Sequence, residues 1–314
     1  MKISIKKAAE ILSDKDKILI LFHKSPDGDA IGSAFALCRA FQSLNKQCRV
    51  LCSDEVPSRY SYLTKIIKKQ EFTPSFIILV DTANPALLGN IKDEYIKNIN
   101  LCIDHHVTNI IKADYKIINT NAAANCENIY DLITAMKANI DRDIATALYT
   151  GISTDTGCFK FGNTTAKTHT LAAKFIKLGV NSSEINQIMF DTKKKSQVIL
   201  EKRMLESLKY YHDGKIAVVL LTDKIKKGLE LDIDDTENLS AISRQTEGVL
   251  AGITVKQTGK GVYKISLRTR FPVNAAQICA DFGGGGHEQS AGCEMTGSLK
   301  NVIENIVNAA QKRI

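Results

Sequence analysis

Short, wholly apolar runs alternate along the chain with longer stretches in which apolar residues recur every three or four positions. Residues 18–22, 76–80 and 101–103 are runs of the first kind, the first two led in by Lys17 and Ser75. Runs of this length without apolar–polar alternation read as strands buried on both faces, as in a parallel sheet covered by helices. The helical period occupies residues near 31–44, 126–138, 142–153 and 166–178, with Thr164 or Thr165 placed to cap the last. Residues 1–186 therefore predict a doubly wound α/β domain with a mostly parallel sheet. Residues 187–211 predict a helical linker, with Lys193, Lys194 and Lys195 on a solvated turn. Strands at 216–221, 252–255 and 262–270 and a helix over 298–313 then predict a second, smaller α/β domain over 212–314.

Polar residues stand where the apolar runs stop. His23 follows the first run, with Asp27 and Asp29 in the loop behind it, and Asp81 follows the second. Asp104, His105 and His106 follow the third, and Asp155 ends the stretch 147–154. In a doubly wound sheet the crevice beyond the carboxyl ends of the strands binds ligands. Carboxylates and imidazoles buried there without partners cost several kcal/mol each, so a compensating ion is expected. The oxygen-rich set of four aspartates favours Mn²⁺ or Mg²⁺, with Fe and Zn compatible. Its formal charge of about −4 matches two divalent ions and leaves one ion short. Such a pair is the equipment of hydrolytic phosphoryl transfer.

Composition narrows the function classes. The chain has 314 residues, 44% hydrophobic and 24% charged, with a net charge of +8. That length suits two domains. No apolar stretch nears the roughly 20 residues of a membrane span. Residues 1–7 lack the apolar core of a secretory signal, so a cytoplasmic protein without a membrane partner is expected. The eight cysteines form no Cys-x-x-Cys pair and lie mostly in apolar runs, which predicts packed, reduced thiols. The positive charge is not gathered into a track for long duplex nucleic acid. The acidic stretch 230–237 fits no calcium-loop spacing and predicts a solvated loop.

In the second domain, Lys264, Ser266, Arg268 and Arg270 share one strand face, opposite Tyr263, Ile265 and Leu267. Arg268 suits bidentate phosphate contact. Gly283, Gly284, Gly285 and Gly286, followed by His287, offer backbone N–H groups to an anion.

The chain resembles the DHH/DHHA1 phosphoesterases. The resemblance rests on His23-Lys24-Ser25-Pro26-Asp27-Gly28-Asp29, on Val80-Asp81-Thr82-Ala83, on Asp104-His105-His106 and on the segment from Gly151 to Gly157. In the second half it rests on Ser266-Leu267-Arg268 and on the glycine run with His287. With the two domains filling the chain, it is most similar to the stand-alone nanoRNase/pAp phosphatase branch. Thr269 and Ser290 depart from the common pattern only slightly.

The resemblance implies a Mn²⁺- or Mg²⁺-dependent phosphohydrolase with two metal ions. His23, Asp27 and Asp81 would hold one ion, and Asp29, His105 and Asp155 the other together with Asp81. It places Asp104 behind the histidines as an orienting carboxylate and His106 on the substrate side, so Asp81, Asp104 and His106 are the catalytic candidates. Arg268, Gly284, Gly285, Gly286 and His287, with His106, are the substrate-binding candidates. Implied substrates are very short RNA and 3′-phosphoadenosine 5′-phosphate, and a homodimer is compatible. A phosphodiesterase for pApA or cyclic dinucleotides is the alternative, and a non-catalytic nucleotide-binding regulator on the same fold is a second.

Overall fold

A computed structural model describes residues 1–231, 233–236 and 239–314. It divides into two compact units, Met1–Thr192 and Lys193–Ile314.

The first unit is built on five strands: β1 (Ile18–Leu21), β2 (Cys48–Leu51), β3 (Phe76–Val80), β4 (Leu101–Asp104) and β5 (Tyr115–Ile118). Their order is β2-β1-β3-β4-β5, and every pairing is parallel. Successive side chains of a strand point to opposite faces, so a run apolar throughout needs cover on both. Ile18, Ile20, Ile78, Val80 and Ile103 pack into the larger core. That core is roofed by α1 (Ile5–Ser13), α2 (Gly28–Ser43), α3 (Asn125–Ala135), α4 (Arg142–Asp155) and α5 (Ala166–Lys177). Leu19, Leu21, Ile77, Leu79 and Cys102 face the other way, against Leu88, Ile99 and Ile111. One-turn segments between residues 85 and 98 close that face instead of long helices. The predicted α5 cap is Thr165, whose hydroxyl accepts the N–H of Thr168.

The second unit holds a six-stranded sheet in the order β10-β11-β9-β8-β7-β6. The strands are β6 (Lys209–Tyr211), β7 (Ile216–Leu221), β8 (Ala251–Gly259), β9 (Val262–Thr269), β10 (Gly285–His287) and β11 (Ser290–Thr296). Only β7 and β8 pair in parallel. Ile253, Val255, Ile265 and Leu267 bury one face with α7 (Ala275–Ala280) and α8 (Leu299–Gln311). On the β7 side, Val219 and Leu221 pack against Leu200 and Met204 of α6 (Lys195–Glu206). The helix expected within the linker is thus part of this unit's core.

Of the acidic stretch 230–237, residues 232 and 237 lie outside the described residues. Its Asp235 corrects the expectation of a solvated loop: it is buried, with Lys194 Nζ 3.3 Å from its Oδ1. All eight cysteines are free thiols. No helix among the described residues is long and apolar enough to cross a membrane.

Candidate metal centre

The sheet order of the first unit reverses between β1 and β3, because the chain leaves β1 outward to β2 and returns to β3 on the other side. The carboxyl ends of two strands at such a reversal flank an open crevice, where ligands bind in this class of sheet. His23 lies just past β1, Asp81 directly past β3, and Asp104 ends β4. A cavity of about 310 Å³ opens there, lined by His23, Asp27, Asp81, His105, His106 and Asp155 among others. Asp155 arrives differently, as the last residue of helix α4. A carboxylate at a helix carboxyl end is repelled by the helix dipole, so it favours a cation beside it.

The ring nitrogens are oriented by the main chain. His23 Nδ1 lies 2.8 Å from Lys24 O, and His105 Nδ1 lies 3.2 Å from Ala122 O. A carbonyl only accepts, so Nδ1 of each ring carries the proton and Nε2 keeps a lone pair for a metal. His106 is arranged otherwise: its Nδ1 bonds Asp104 Oδ1 at 2.7 Å. That oxygen also accepts the N–H groups of His105 and His106, while Asn109 Nδ2 donates to Oδ2 at 2.6 Å. Asp104, fully buried, is engaged by these bonds and stands outside the donor groups formed by the other residues.

Asp27 and Asp29 also do structural work. Asp27 Oδ1 caps α2, accepting the N–H groups of Asp29 and Ala30 at 3.0 Å each. The two Asp29 oxygens accept the N–H groups of Asn125 and Cys126, so Asp29 caps α3 from a distance of 96 residues in sequence. Gly151 makes this approach feasible, since a Cβ there would lie 2.9 Å from Asp29 Oδ1 and 2.3 Å from Cys126 Sγ. Asp81 has no such employment. It is 2% exposed, adopts φ 48° in the left-handed region, and its buried Oδ1 has no hydrogen-bond partner. An orphaned buried carboxylate oxygen on strained backbone points to a ligand.

Spacing identifies what kind. His23 Nε2 lies 3.7 Å from Asp27 Oδ1 and 3.8 Å from Asp81 Oδ2. His105 Nε2 lies 3.5 Å from Asp81 Oδ1, 3.8 Å from Asp29 Oδ2 and 3.8 Å from Asp155 Oδ2. These gaps are too long for hydrogen bonds and suit donors gathered about an ion, each about 2.1 Å from it. The donor atoms fall into the groups His23–Asp27–Asp81, Asp29–His105–Asp155 and Asp81–His105–His106. In the third group Nδ1 of His106 is already committed to Asp104, which leaves that nitrogen unsuited to a metal.

Electrostatics agree. Burial, followed by repulsion from Asp29, Asp27 and Asp155, raises Asp81 well above the ordinary carboxylate range. Burial, then Asp29 and Asp27, pushes Asp155 up to about 9. The residues therefore fit divalent ions: their carboxylates ionise together only beside positive charge. Asp104 falls below the ordinary range, because its bonds to His106 and Asn109 outweigh its burial. The same bond raises His106 against the opposing effect of burial.

Arg268 sits half-buried on β9, with Lys264 and Arg270 exposed and Tyr263, Ile265 and Leu267 buried. The glycine run is more constrained than an open cradle. Gly283 N–H donates to Ala280 O and Gly284 N–H to Cys279 O, while Gly285, Gly286 and His287 form β10 against β11. That corrects the expectation of free N–H groups at Gly284: its N–H is already bonded. Asn109 is the residue sequence reasoning missed, since an amide three positions past His106 carries no periodic signal.

The N-terminal domain model of the DHH family matches residues 17–152, and the DHHA1 domain model matches residues 213–314. The bifunctional oligoribonuclease and PAP phosphatase NrnA of Thermus thermophilus is 29% identical over 98% of this chain and 93% of its own length. The protein of that name in Mycoplasma genitalium is 26% identical over 99% of this chain and 98% of its own. A solved structure, an exopolyphosphatase-related protein from Bacteroides fragilis, shares the fold with a TM-score of 0.85 at 23% identity, covering 98% of this chain and 95% of that one. Carrying both domains in order, the chain belongs to the DHH/DHHA1 family.

Proposed function

We propose that this chain is a two-metal phosphohydrolase that cleaves very short oligoribonucleotides and removes phosphate from 3′-phosphoadenosine 5′-phosphate. The observation that carries it is Asp81, buried and orphaned at Oδ1, with one oxygen toward His23 and the other toward His105. His23 and Asp27 would hold one ion with Asp81, and Asp29, His105 and Asp155 would hold the other, again with Asp81. Mn²⁺ is the ion of choice for this mixed carboxylate–imidazole set, and Mg²⁺ can substitute. When bound, such ions neutralise phosphate charge and activate water for in-line attack.

The chain's own contribution is orientation and proton delivery. Asp104 fixes the His106 ring and favours its charged form. With Nδ1 bound, Nε2 is the nitrogen left to donate to a phosphate oxygen or to the departing hydroxyl. Two NrnA proteins that match nearly the whole chain support the substrate class. Arg268 and His287 contact the substrate's nucleotide portion on the second unit. The test is a panel of an RNA dinucleotide, 3′-phosphoadenosine 5′-phosphate, pApA and a cyclic dinucleotide, each with Mn²⁺ and with chelator. Turnover of the first two that chelator abolishes is expected. Turnover confined to the cyclic dinucleotide, or to none, contradicts the proposal.

A further inference from the structure

The face of the second sheet turned away from α7 and α8 brings arginines together. Arg268 of β9 pairs with Gly252 of β8 on one side and with Ser290 of β11 on the other, and Ser290 pairs with His287 of β10. Residues directly opposite in an antiparallel ladder share a face, so Arg268, Ser290 and His287 form one row across three strands. The turn over Leu239–Arg244 lies on that face too. A Cβ at Gly252 would meet Ser243 Oγ at 2.6 Å and Arg244 N at 2.7 Å. Only a glycine at 252 lets the turn lie so close, and the turn ends by placing Arg244 beside Arg268.

The hydrogen bonds of these arginines go to neutral carbonyls. Arg244 Nη1 donates to Thr269 O at 3.1 Å, Arg268 Nη1 to Leu267 O at 3.2 Å, and Arg270 Nη2 to Arg244 O at 3.3 Å. Among the described residues none of the three has a carboxylate partner. Burial, and then the charge of Arg244, holds Arg268 below its ordinary pKa. Guanidinium groups gathered without a counter-charge repel one another, and a bound anion reverses the sign of that cost. Their planar fork matches phosphate oxygens in pairs.

We infer that Arg244 joins Arg268 in a two-guanidinium clamp for a terminal phosphate monoester of the substrate. A monoester carries about −1.5 to −2 charges near neutral pH, against a single negative charge on an internal diester, so two cations favour the terminal group. This rests on the nucleotide-phosphate reading given above and adds to it the residue that selects for a phosphorylated end.

The test is calorimetric titration of the full chain with adenosine 5′-monophosphate and with adenosine, in Mn²⁺ and again in chelator. Wild type is expected to prefer the monophosphate in both. Arg244→Gln should lower that preference roughly tenfold, the loss of one charge-assisted contact. Arg244→Lys should fall between, since lysine keeps the charge and loses the fork. Lys264→Gln, on the same face and outside the clamp, should keep the wild-type preference. An unchanged preference in Arg244→Gln or Arg244→Lys, with melting temperature preserved, overturns the clamp. If Arg244→Gln does not fold, the lysine variant decides. Because binding is read without turnover, a failed substrate panel and a failed clamp are separate results.

Discussion

Two polar surfaces of this chain pose opposite electrostatic problems. The rim of the first unit gathers Asp27, Asp29 and Asp155 around buried Asp81 at the carboxyl end of a parallel strand. The sheet face of the second turned away from α7 and α8 gathers Arg268 of β9, Arg270 just past it and Arg244 of the turn over Leu239–Arg244. The rim is fixed: Asp27 and Asp29 cap helices, and the histidine rings are pinned by carbonyls. The hydrogen bonds of the arginines go to main-chain carbonyls, with no carboxylate partner among the described residues. Removing a part from the rim should therefore be all-or-none, while changes on the basic face should be graded.

The largest expected effect is at Asp81, proposed as the ligand common to both ions. Asp81→Asn should lower dinucleotide hydrolysis by about 10³-fold or more, and residual turnover near wild type would break the comparison. Next is the support behind the imidazole. Asn109→Ala frees Asp104 Oδ2 and should cost roughly 10- to 100-fold in kcat, the range seen when outer-shell partners are lost. A change in KM alone would place Asn109 outside the mechanism.

A pH effect follows with a definite sign. Asp155 is raised in the folded state to about 9, so between the unfolded carboxyl value and 9 the folded chain binds more protons than the unfolded one. Metal-free stability should therefore fall as pH rises through that window, and Mn²⁺ should reverse the fall while releasing protons. Melting curves at several pH values check this, and Asp155→Asn should flatten the metal-free slope. The smallest effect is on the basic face. Arg270→Gln, exposed, should raise KM only about twofold to threefold and weaken its dependence on salt.

What the sequence displays and what it hides divides along the same line. Strands β1, β3 and β4 are legible because burial on both faces makes them apolar throughout. The edges β2 and β5 are not, because Arg49 and Lys116 interrupt the pattern where one side lacks a neighbouring strand. β10 hides inside its own glycines. His23, Asp27, Asp29, Asp81, His105 and Asp155 stand out as polar residues behind apolar runs, and the structure brings their side chains to one cavity wall and its margin. Asp155 comes there at the end of helix α4, whose residues 147–153 are buried against the core. The capping of α3 by Asp29, the hold of Asn109 on Asp104 and the approach of Arg244 to Gly252 depend on tertiary register, which no local spacing encodes.

The most direct test of the two-metal account is turnover of an RNA dinucleotide titrated with Mn²⁺ against ions bound per chain. Activity is expected to be absent in chelator and to reach its plateau only when two ions are bound. Turnover that survives chelation, or that saturates at one ion per chain, would contradict it.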